Sequence, residues 1–315
     1  MAADPLSDVL ELIDARCLVS GGFVAGGQWS LRFPKPNRLK LIAIVEGECW
    51  LVLDEHPPVR LTPGELAVFD GTRGFVLTSD LELEPVDATE LFPADRAPMV
   101  QIGSGREVVN LGGHIDLNEV GRELLLDALP PLLHVRADSE EAVVLRWLLD
   151  RLAHEVADGR VGSELASGNL VELVFVQVLR TYLTEAQTLP AGWLRALGDD
   201  RIAPAVRSMH ADPGRAWQLD DLARTASMSR TTFAERFKAV AGEPPLTYLL
   251  NWRMRLAQRA LRESDEPLSA LAHSLGYTSD SAFSTAFKRV NGVAPKRYRD
   301  AARAGVLVQS GAGMP

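Results

Sequence analysis

The chain has 315 residues, of which 46% are hydrophobic and 24% are charged. This mixture is typical of a soluble globular protein and excludes a mostly disordered chain, and the length suffices for two domains. No apolar run approaches the roughly 18 residues of a membrane span, and the acidic N-terminus lacks the features of a secretory signal. We therefore expect a cytoplasmic protein with no membrane partner.

The formal net charge of −9 hides two parts of opposite charge. From Arg195 onward the chain holds 18 Lys and Arg against 12 Asp and Glu, whereas the preceding residues hold 15 against 30. A protein that binds nucleic acid must neutralise phosphates, which the basic part can do although the whole chain is acidic. The asymmetry indicates a nucleic-acid-binding module joined to something else.

Short apolar runs at close spacing fill residues 20 to about 110. They are separated by the turn-forming stretches GG, PKPN, DEHPP, TPGE and DGTRG. This alternation predicts an antiparallel all-β unit, either a small barrel or a sandwich.

Helical spacing begins at Asn118 and continues to Gln187. The stretch ELLLDALPPLL predicts a short helix that ends at Pro130 and Pro131, and two longer helices follow. The predicted apolar faces are Val144, Leu148, Leu149 and Leu152 in one long helix, and Leu170, Leu173, Val174, Gln177 and Val178 in the other. Both intramolecular packing and a dimerising helix pair remain open as roles for these faces.

The flanks of the long helices carry their own signals. Asp138 or Ser139 is a candidate N-cap for the first of them, with Glu141 near the positive end of the helix dipole. After the second, TLPAGWLRALGDD is predicted to be a linker, because Pro190 and Gly192 disfavour regular structure.

One pattern occurs twice in the basic part, as FAERFKAVAGEPPLTYL at 233–249 and as FSTAFKRVNGVAPKRYR at 283–299. Seven positions coincide at a fixed spacing of 50 residues. They are Phe233, Phe237, Lys238, Val240, Gly242, Pro245 and Tyr248, matched by Phe283, Phe287, Lys288, Val290, Gly292, Pro295 and Tyr298. This repetition predicts two copies of a small helical unit.

Each copy begins with a short helix, DDLARTA at 220–226 or LSALAHSL at 268–275. A tight turn follows, in which Gly276 can take the left-handed conformation. Ser229 and Ser279 then stand where the next helix needs an N-cap. The two phenylalanines of each second helix are four residues apart, so they share one face, which we expect to be the core.

The opposite face of each second helix is polar. Its side chains are Arg230, Thr231, Thr232, Ala234, Glu235 and Lys238 in the first copy, and Asp280, Ser281, Ser284, Thr285, Lys288 and Arg289 in the second. Two helices joined by a short turn form a helix-turn-helix, whose second helix enters the major groove of DNA.

A helix of about 20 residues is predicted between the two copies, from Pro244 or Pro245 to the stretch 264–267. It would be roughly 30 Å long, close to the ~34 Å of one DNA turn. The linker helix can therefore hold the two units in successive major grooves on one face of the duplex.

These stretches, LARTASMSRTTFAERFKAVAGEPPLTYLLNWRMRLAQRAL and LAHSLGYTSDSAFSTAFKRVNGVAPKRYR, resemble the DNA-binding domain of the AraC/XylS family of bacterial transcription regulators over residues 200–300. The β-rich front half, with LTPGE, resembles the cupin-type effector domain of many such regulators. The resemblance implies an α+β chain: an N-terminal cupin-like β-barrel with a helical extension at 1–190, then an all-α domain of two helix-turn-helix units at 198–303.

The resemblance also implies a function and a set of partners. The protein would be an activator or repressor that binds promoter double-stranded DNA, acts on RNA polymerase, responds to a small-molecule or redox signal and forms a homodimer, with no cofactor. The implied base-reading positions are Thr231, Ala234 and Glu235 in the first unit, and Asp280, Ser281, Ser284 and Thr285 in the second. None is an arginine, so bidentate guanine readout is not expected, whereas Glu235 can accept from cytosine and Thr231 can meet a thymine methyl.

Much of the affinity must then come from phosphate contacts. The candidates are Arg230, Arg236, Lys238, Lys288, Arg289, Lys296, Arg297 and Arg299. A solvated surface role is the alternative for each of them.

A small-molecule pocket inside the β unit is the default expectation for the front half. Its candidate lining residues are Trp29, Arg32, Lys40, Trp50 and His114, with core or surface roles as the alternative. Cys17 lies beside Arg16, and a nearby cation favours the reactive thiolate, so redox sensing competes with an inert thiol. Cys49 lies within the apolar strand CWLVL.

An enzyme is the alternative from another class. A metal-dependent cupin enzyme would need clustered histidines, but PKPNRLKLIAIVEG contains none, Gly74 or a neighbour takes the place of the last one, and His56, His114 and His134 are scattered. An Ada-type DNA-repair protein would need a zinc-thiolate cluster and an acceptor cysteine, which two cysteines without a PCHR-like motif exclude. We therefore expect neither catalytic nor metal-binding residues.

Overall fold

The computed structural model describes residues 4–92, 99–126, 128–138, 142–184 and 189–304. The chain divides into two compact units. The β unit spans residues 13–184, and the helical unit comprises the first 12 residues together with residue 185 onward. The first helix, α1 (Pro5–Leu12), thus belongs to the helical unit, although the sequence patterns placed it with the β-rich part.

The β unit contains two sheets that share one core. Its described strands are β1 (Arg16–Gly26), β2 (Ser30–Phe33), β3 (Leu39–Glu46), β4 (Cys49–Leu53), β5 (Val59–Leu61), β6 (Leu66–Phe69), β7 (Phe75–Thr78), β8 (Val86–Asp87), β9 (Met99–Gly103), β10 (Val108–Asp116) and β11 (Leu132–Val135). One sheet has the order β11-β6-β3-β10-β1-β9, and the other has the order β5-β4-β7-β2-β8. Most neighbouring strands are antiparallel. The parallel pairs are β9 with β1 in the first sheet and β8 with β2 in the second.

Alternating side chains explain why the sheets face each other. In β4 the buried Cys49, Leu51 and Leu53 point into the core, while Trp50 and Val52 point away from it. Successive residues of a strand face opposite sides, so a period of two creates one apolar face per sheet. Phe23 and Phe69 from the six-stranded sheet and Leu31 and Phe75 from the five-stranded sheet meet in this core. The predicted α+β class with a β-rich front half is confirmed.

The β unit also contains three described helices: α2 (Glu119–Leu126), which lies between β10 and β11, and α3 (Ala142–Asp158) and α4 (Ser163–Thr184), which follow β11. The helix predicted before the two prolines is α2, although the leucines after them belong to β11. The predicted positions Ser139 and Glu141 lie outside the described residues. The long helices pack on each other, and they also contact β3 and β1 of the six-stranded sheet.

The predicted apolar faces of α3 and α4 are partly wrong. Val144 and Leu173 are about half exposed, at 46% and 49%. The buried positions include Leu145 on α3, and Val171 and Phe175 on α4. The buried stripe is rotated from the predicted one because these helices must contact both each other and the sheet.

The helical unit consists of α1 and eight further described helices. These are α5 (Trp193–Gly198), α6 (Ala203–Ala211), α7 (Leu219–Thr225), α8 (Arg230–Ala241), α9 (Pro245–Glu263), α10 (Leu268–Ser274), α11 (Asp280–Asn291) and α12 (Pro295–Arg303). The stretch predicted to be a linker contains α5, which packs against α8. Nowhere in the described part of the chain is a helix long and apolar enough to cross a membrane.

Helix α1 contacts α6 and α9 around a buried histidine. The His210 Nε2 atom lies 2.9 Å from the Tyr248 hydroxyl, and its ring stacks on Trp252 at 3.8 Å between centroids. Its Nδ1 atom lies 3.5 Å from the Asp8 carboxylate of α1. Burial lowers the pKa of His210, although Asp8 acts in the opposite direction, so the imidazole is neutral at pH 7.

This burial predicts a loss of stability in weak acid. The unfolded chain, in which the imidazole titrates near its ordinary pKa of 6.5, binds more protons than the folded chain. The contribution of neutral His210 to the free energy of unfolding is therefore complete above this pH and decreases as the pH falls below it. The free energy of unfolding, measured with urea, should decrease more steeply for the wild type than for His210→Phe, by up to about 1.4 kcal/mol per pH unit. Equal slopes would contradict a buried neutral imidazole.

Candidate nucleic-acid interface

Two copies of a helix-turn-helix lie in the helical unit, α7 with α8 and α10 with α11. The Ser229 hydroxyl accepts a hydrogen bond from the Thr232 amide at 3.2 Å, and Ser279 accepts one from the Ala282 amide at the same distance. Each bond satisfies a backbone donor at the first turn of the helix. Both predicted N-caps are confirmed.

The turns of the two copies use different residues for the same geometry. The left-handed position is Gly276 in the second turn, at φ 81°, and Ser227 in the first, at φ 53°. The next amide in each turn, Met228 or Tyr277, reaches back five residues to a helical carbonyl. The predicted left-handed glycine is confirmed, and the first copy adopts this conformation with a serine.

Gly276 also lies close to another backbone segment, which predicts a stability difference between two glycine variants. A Cβ atom at Gly276 would lie 2.2 Å from the Gly214 carbonyl oxygen, whereas Gly292, at φ 75°, has nothing within 4 Å of that position. Gly292→Ala should cost about 1–2 kcal/mol for its left-handed backbone. Gly276→Ala should cost about 1–3 kcal/mol more because the loop must move.

Urea unfolding of both glycine variants beside the wild type measures this difference. Equal losses of stability would contradict the close approach of the two loops.

The inward faces of α8 and α11 have the same aromatic packing. Phe237 meets Tyr248 with ring centroids 5.6 Å apart and an interplanar angle of 74°. Phe287 meets Tyr298 at 5.5 Å with the same angle. The other two phenylalanines of the repeat, Phe233 and Phe283, are fully buried beside them. The predicted core role of these phenylalanines is confirmed, and it determines which side of each helix faces outward.

The outward faces also repeat. The second helix of each copy has a set of exposed residues. On α8 they include Arg230, Thr231, Thr232, Glu235 and Lys238, and on α11 they include Asp280, Ser281, Thr285, Lys288 and Arg289. Ala234 and Ser284, at equivalent positions, are partly buried. The structure therefore brings the candidate DNA-facing residues together on two matching surfaces, and it leaves their individual roles as predictions.

Two of the candidate phosphate ligands are engaged inside the protein. The Arg236 guanidinium donates two hydrogen bonds to Asp199, at 2.7 and 3.3 Å. Arg299 donates to the Glu266 carbonyl oxygen at 2.6 Å. These contacts fix α8 to the loop before α6 and α12 to the loop before α10, so they favour structural roles over phosphate binding.

Other basic side chains are available to a polyanion. Lys238, Lys288 and Arg289 are exposed and form no ion pair within the described residues. Arg230 pairs loosely with Asp220 at 3.5 Å, and both side chains are more than half exposed. Helices α8 and α11 therefore present cations beside their polar faces, as phosphate binding requires.

Helix α9 contributes to the cores of both helix-turn-helix units. Near its start, Tyr248 packs against the first unit. Further along, Met254, Ala257 and Leu261 belong to the core of the second unit. Its 19 residues make it about 28 Å long at 1.5 Å per residue. Because α9 is a continuous helix buried in both units, it fixes the separation of α8 and α11.

The candidate sensing residues of the β unit do not form one group. Trp29 belongs to the core. Arg32 and Trp50 lie on the outer face of the five-stranded sheet, where Arg32 donates two hydrogen bonds to Asp54, at 2.8 and 2.9 Å. Only Lys40 and His114 are neighbours, paired across β3 and β10 on the core side of the six-stranded sheet. The interpretation of all five residues as the lining of one pocket is therefore wrong.

The environment of Cys17 does not activate its thiol. Burial, together with the charge of Glu172, raises the pKa of Cys17 to about 12. The Arg16 side chain is exposed and pairs with Asp14 at 3.2 Å. Burial, with a contribution from Glu48, also raises the pKa of Cys49 to about 12. Arg16 does not activate Cys17, because successive strand residues point to opposite faces, and of the two alternatives the structure favours the inert thiol.

The histidines of the β unit are its first candidates for metal ligands. His134 lies 3.2 Å from the Glu65 carboxylate, and the His56 ring lies 3.3 Å from a backbone oxygen. Over the described ranges, no three His, Cys, Asp or Glu side chains are grouped so that they could hold a metal ion.

Two helix-turn-helix units that are connected by one continuous helix define a DNA-binding protein. A family model described as a helix-turn-helix domain matches residues 222–301, and one described as a cupin matches residues 4–184. A relative from Streptomyces lividans, a putative AraC-like transcription regulator, is 41% identical over 94% of this chain and 98% of its own length. The chain belongs to the AraC-like transcription regulators.

More distant similarities cover different shares of the chain. The transcriptional regulator AlkR of Acinetobacter baylyi is 27% identical over 87% of this chain and 91% of its own length. The DNA-binding domain of AdpA, solved in complex with a target DNA, is 34% identical, covers 34% of this chain and 96% of that chain, and has a TM-score of 0.33.

Proposed function

We propose that this regulator binds promoter DNA with α8 and α11 together, in successive major grooves on one face of the duplex. The observation that carries the proposal is the position of α9, which is buried in both units and is slightly shorter than one DNA turn of about 34 Å. In this arrangement Glu235 and the polar residues of α11 read bases, while Lys238, Lys288 and Arg289 contact phosphates.

We further propose that a small molecule bound in the β unit shifts the protein between two states that differ in DNA affinity or in contact with RNA polymerase. The buried, protonated thiols favour this signal over thiol oxidation. The alternative, a cupin-type metal-dependent enzyme, would require a metal-ligand set, and the described residues contain no such grouping.

Genomic DNA selection tests the regulatory role directly. Fragmented DNA of the host is incubated with the full-length protein near physiological salt, and the retained fragments are sequenced. We expect strong enrichment of a few promoter segments, since specific affinities exceed non-specific ones by about 10³-fold or more. Uniform retention of all fragments would contradict a promoter-specific regulator.

A homodimer is the proposed form of the protein, with the interface on α3 and α4. Val143, Val144 and Trp147 form an exposed apolar stripe on α3, and Leu165 and Leu173 are exposed on α4. Exposed apolar patches mark interaction sites, and an interface with a two-fold axis needs only one self-complementary patch.

Trp147→Glu is therefore expected to weaken dimerisation by about 30-fold or more, as an aromatic residue at an interface centre does when it is lost. Sedimentation equilibrium measures the dissociation constant. Leu81→Glu, at another exposed apolar residue of the β unit, should leave it unchanged. An unaltered mass distribution in Trp147→Glu would exclude this surface.

A further inference from the structure

A lysine lies on the core side of the six-stranded sheet, where apolar residues are expected. Along β3, Lys40 lies on the same face as the buried Ile42 and Ile44, while Leu41 and Ala43 lie on the other face. On that other side, the position of a Cβ atom at Gly113 lies 3.7 Å from both Leu41 and Val171 of α4. The Lys40 side chain therefore points toward the interior of the β unit and keeps some solvent-accessible surface.

The described partner of the Lys40 ammonium group is a hydroxyl and not a carboxylate. Its Nζ atom donates to the Ser20 hydroxyl at 2.6 Å, and no carboxylate forms an ion pair with it among the residues that the structure describes. An ammonium has three donors, so two remain for another acceptor. Burial, with a contribution from Arg38, lowers the pKa of Lys40 to about 8, so most of the population still carries the charge at pH 7.

The neighbouring charged groups leave an excess of positive charge. His114 is the cross-strand partner of Lys40, and Asp116 lies further along the same face of β10. The Asp116 carboxylate lies 3.2 Å from Arg38 and 3.7 Å from the His114 ring. Burial, followed by Arg38, lowers the pKa of His114 although Asp116 opposes this change. The described region therefore holds two cations, Arg38 and Lys40, against the single carboxylate of Asp116, which lies beside Arg38 and His114.

Glycine allows this amine to lie close to the backbone of β10. Gly112 pairs with Gly21 across the neighbouring strands, and a Cβ atom at Gly112 would lie 3.2 Å from the Lys40 amine and 3.4 Å from the Ser20 hydroxyl. Phe69, paired with Lys40 on β6, is fully buried in the core below. The region combines a cationic upper part with an apolar base.

We propose that Lys40, Ser20 and His114 bind the carboxylate of a small organic acid, and that this acid is the effector in the proposed function, on which the inference rests. A monoanion supplies the missing partner of the ammonium, whereas a neutral ligand leaves a buried charge without one. A carboxylate accepts from both the ammonium and the hydroxyl. The Arg38 guanidinium faces Asp116, so the site lacks the free arginine fork that suits phosphate.

Matched acids and amides test the chemical class. Benzoate and hexanoate are compared with benzamide and hexanamide, and with inorganic phosphate, by thermal shift and calorimetry on the full-length protein at pH 7. We expect at least one acid to bind at least tenfold more tightly than its amide and than phosphate. An acid no better than its amide, an equal affinity for phosphate, or no binding by either acid would overturn the proposal.

Two variants locate the site. Lys40→Met keeps the apolar stem and should lower the affinity for the acid at least tenfold, whereas Lys35→Met, at an exposed lysine of the β unit, should leave it unchanged. Unaltered acid binding in Lys40→Met would overturn the assignment. If that variant does not fold, the acid and amide comparison on the wild type still decides the ligand class.

Measurements of DNA affinity distinguish a failure of this inference from a failure of the proposed function. Lys40→Met should bind DNA as the wild type does without the acid, and the acid should change DNA affinity only in the wild type. Acid binding with no change in DNA affinity would leave a carboxylate site and overturn its role as the effector site. A wild type that binds the acid but no promoter DNA would overturn the proposed function, and the effector role with it, and would leave the carboxylate site standing.

Discussion

Phe287→Ala is expected to lower the free energy of unfolding by about 3–5 kcal/mol, as the loss of a buried aromatic ring does. Its ring is fully buried and contacts both Phe283 and Tyr298, at 5.8 and 5.5 Å between centroids. It also lies in the same core as Met254 of α9. The substitution therefore removes packing that joins α11, α12 and the linker helix.

The repeat supplies a matched variant for this experiment. Phe237→Ala removes the equivalent ring from the first unit, where Phe237 contacts Phe233 and Tyr248. We expect a loss of similar size, about 3–5 kcal/mol. Val290→Ala, at a residue that is 40% exposed on α11, should cost much less. Urea unfolding followed by circular dichroism measures all three, and a loss below about 1 kcal/mol for either phenylalanine would contradict its core role.

Glu235→Ala and Lys288→Ala should alter DNA binding in different ways. Glu235 is exposed on α8, where a carboxylate can accept from a cytosine amino group. Its loss should reduce discrimination at one base pair by about 1–3 kcal/mol and change other sequences little. Lys288 is exposed on α11 and should contact phosphate, so its loss should weaken binding to every duplex alike and reduce the salt slope by about 1.

Fluorescence anisotropy on a panel of single-base-pair variants of a selected promoter, at several salt concentrations, separates the two effects. Lys35→Ala, at an exposed lysine of the β unit, is the control for a general change of charge and should bind as the wild type does. Equivalent behaviour of the Glu235 and Lys288 variants across the panel would show that these residue roles are wrong.

The helical unit was predictable because each local signal in it agreed with the others. Serine N-caps, the left-handed Gly276 and the phenylalanine pairs all act within a few residues of chain, and the repeat presented each of them twice. The burial of the repeated valines was not predictable in this way. Val240 is buried near α5, which packs against α8, whereas its counterpart Val290 is 40% exposed. The difference arises outside the repeat.

The candidate sensing site of the β unit was less predictable because strand register and curvature decide it. Lys40 and His114 were candidates, but their pairing depends on the register between β3 and β10. Ser20 was missed because it lies at an irregularity of β1, between Val19 and Gly21, that brings its hydroxyl to the lysine. The double glycine after Ser20 is the local signal of such a bulge.

Footprinting on a selected promoter fragment tests the central claim most directly, because it reports where along the duplex the two reading helices bind. Hydroxyl-radical cleavage should show two protected patches on one face of the DNA, with centres about 10–10.5 base pairs apart. Phe287→Ala should lose the patch of the second unit first if the remaining protein stays folded. A single protected patch in the wild type, or two patches on opposite faces of the duplex, would contradict simultaneous reading by α8 and α11.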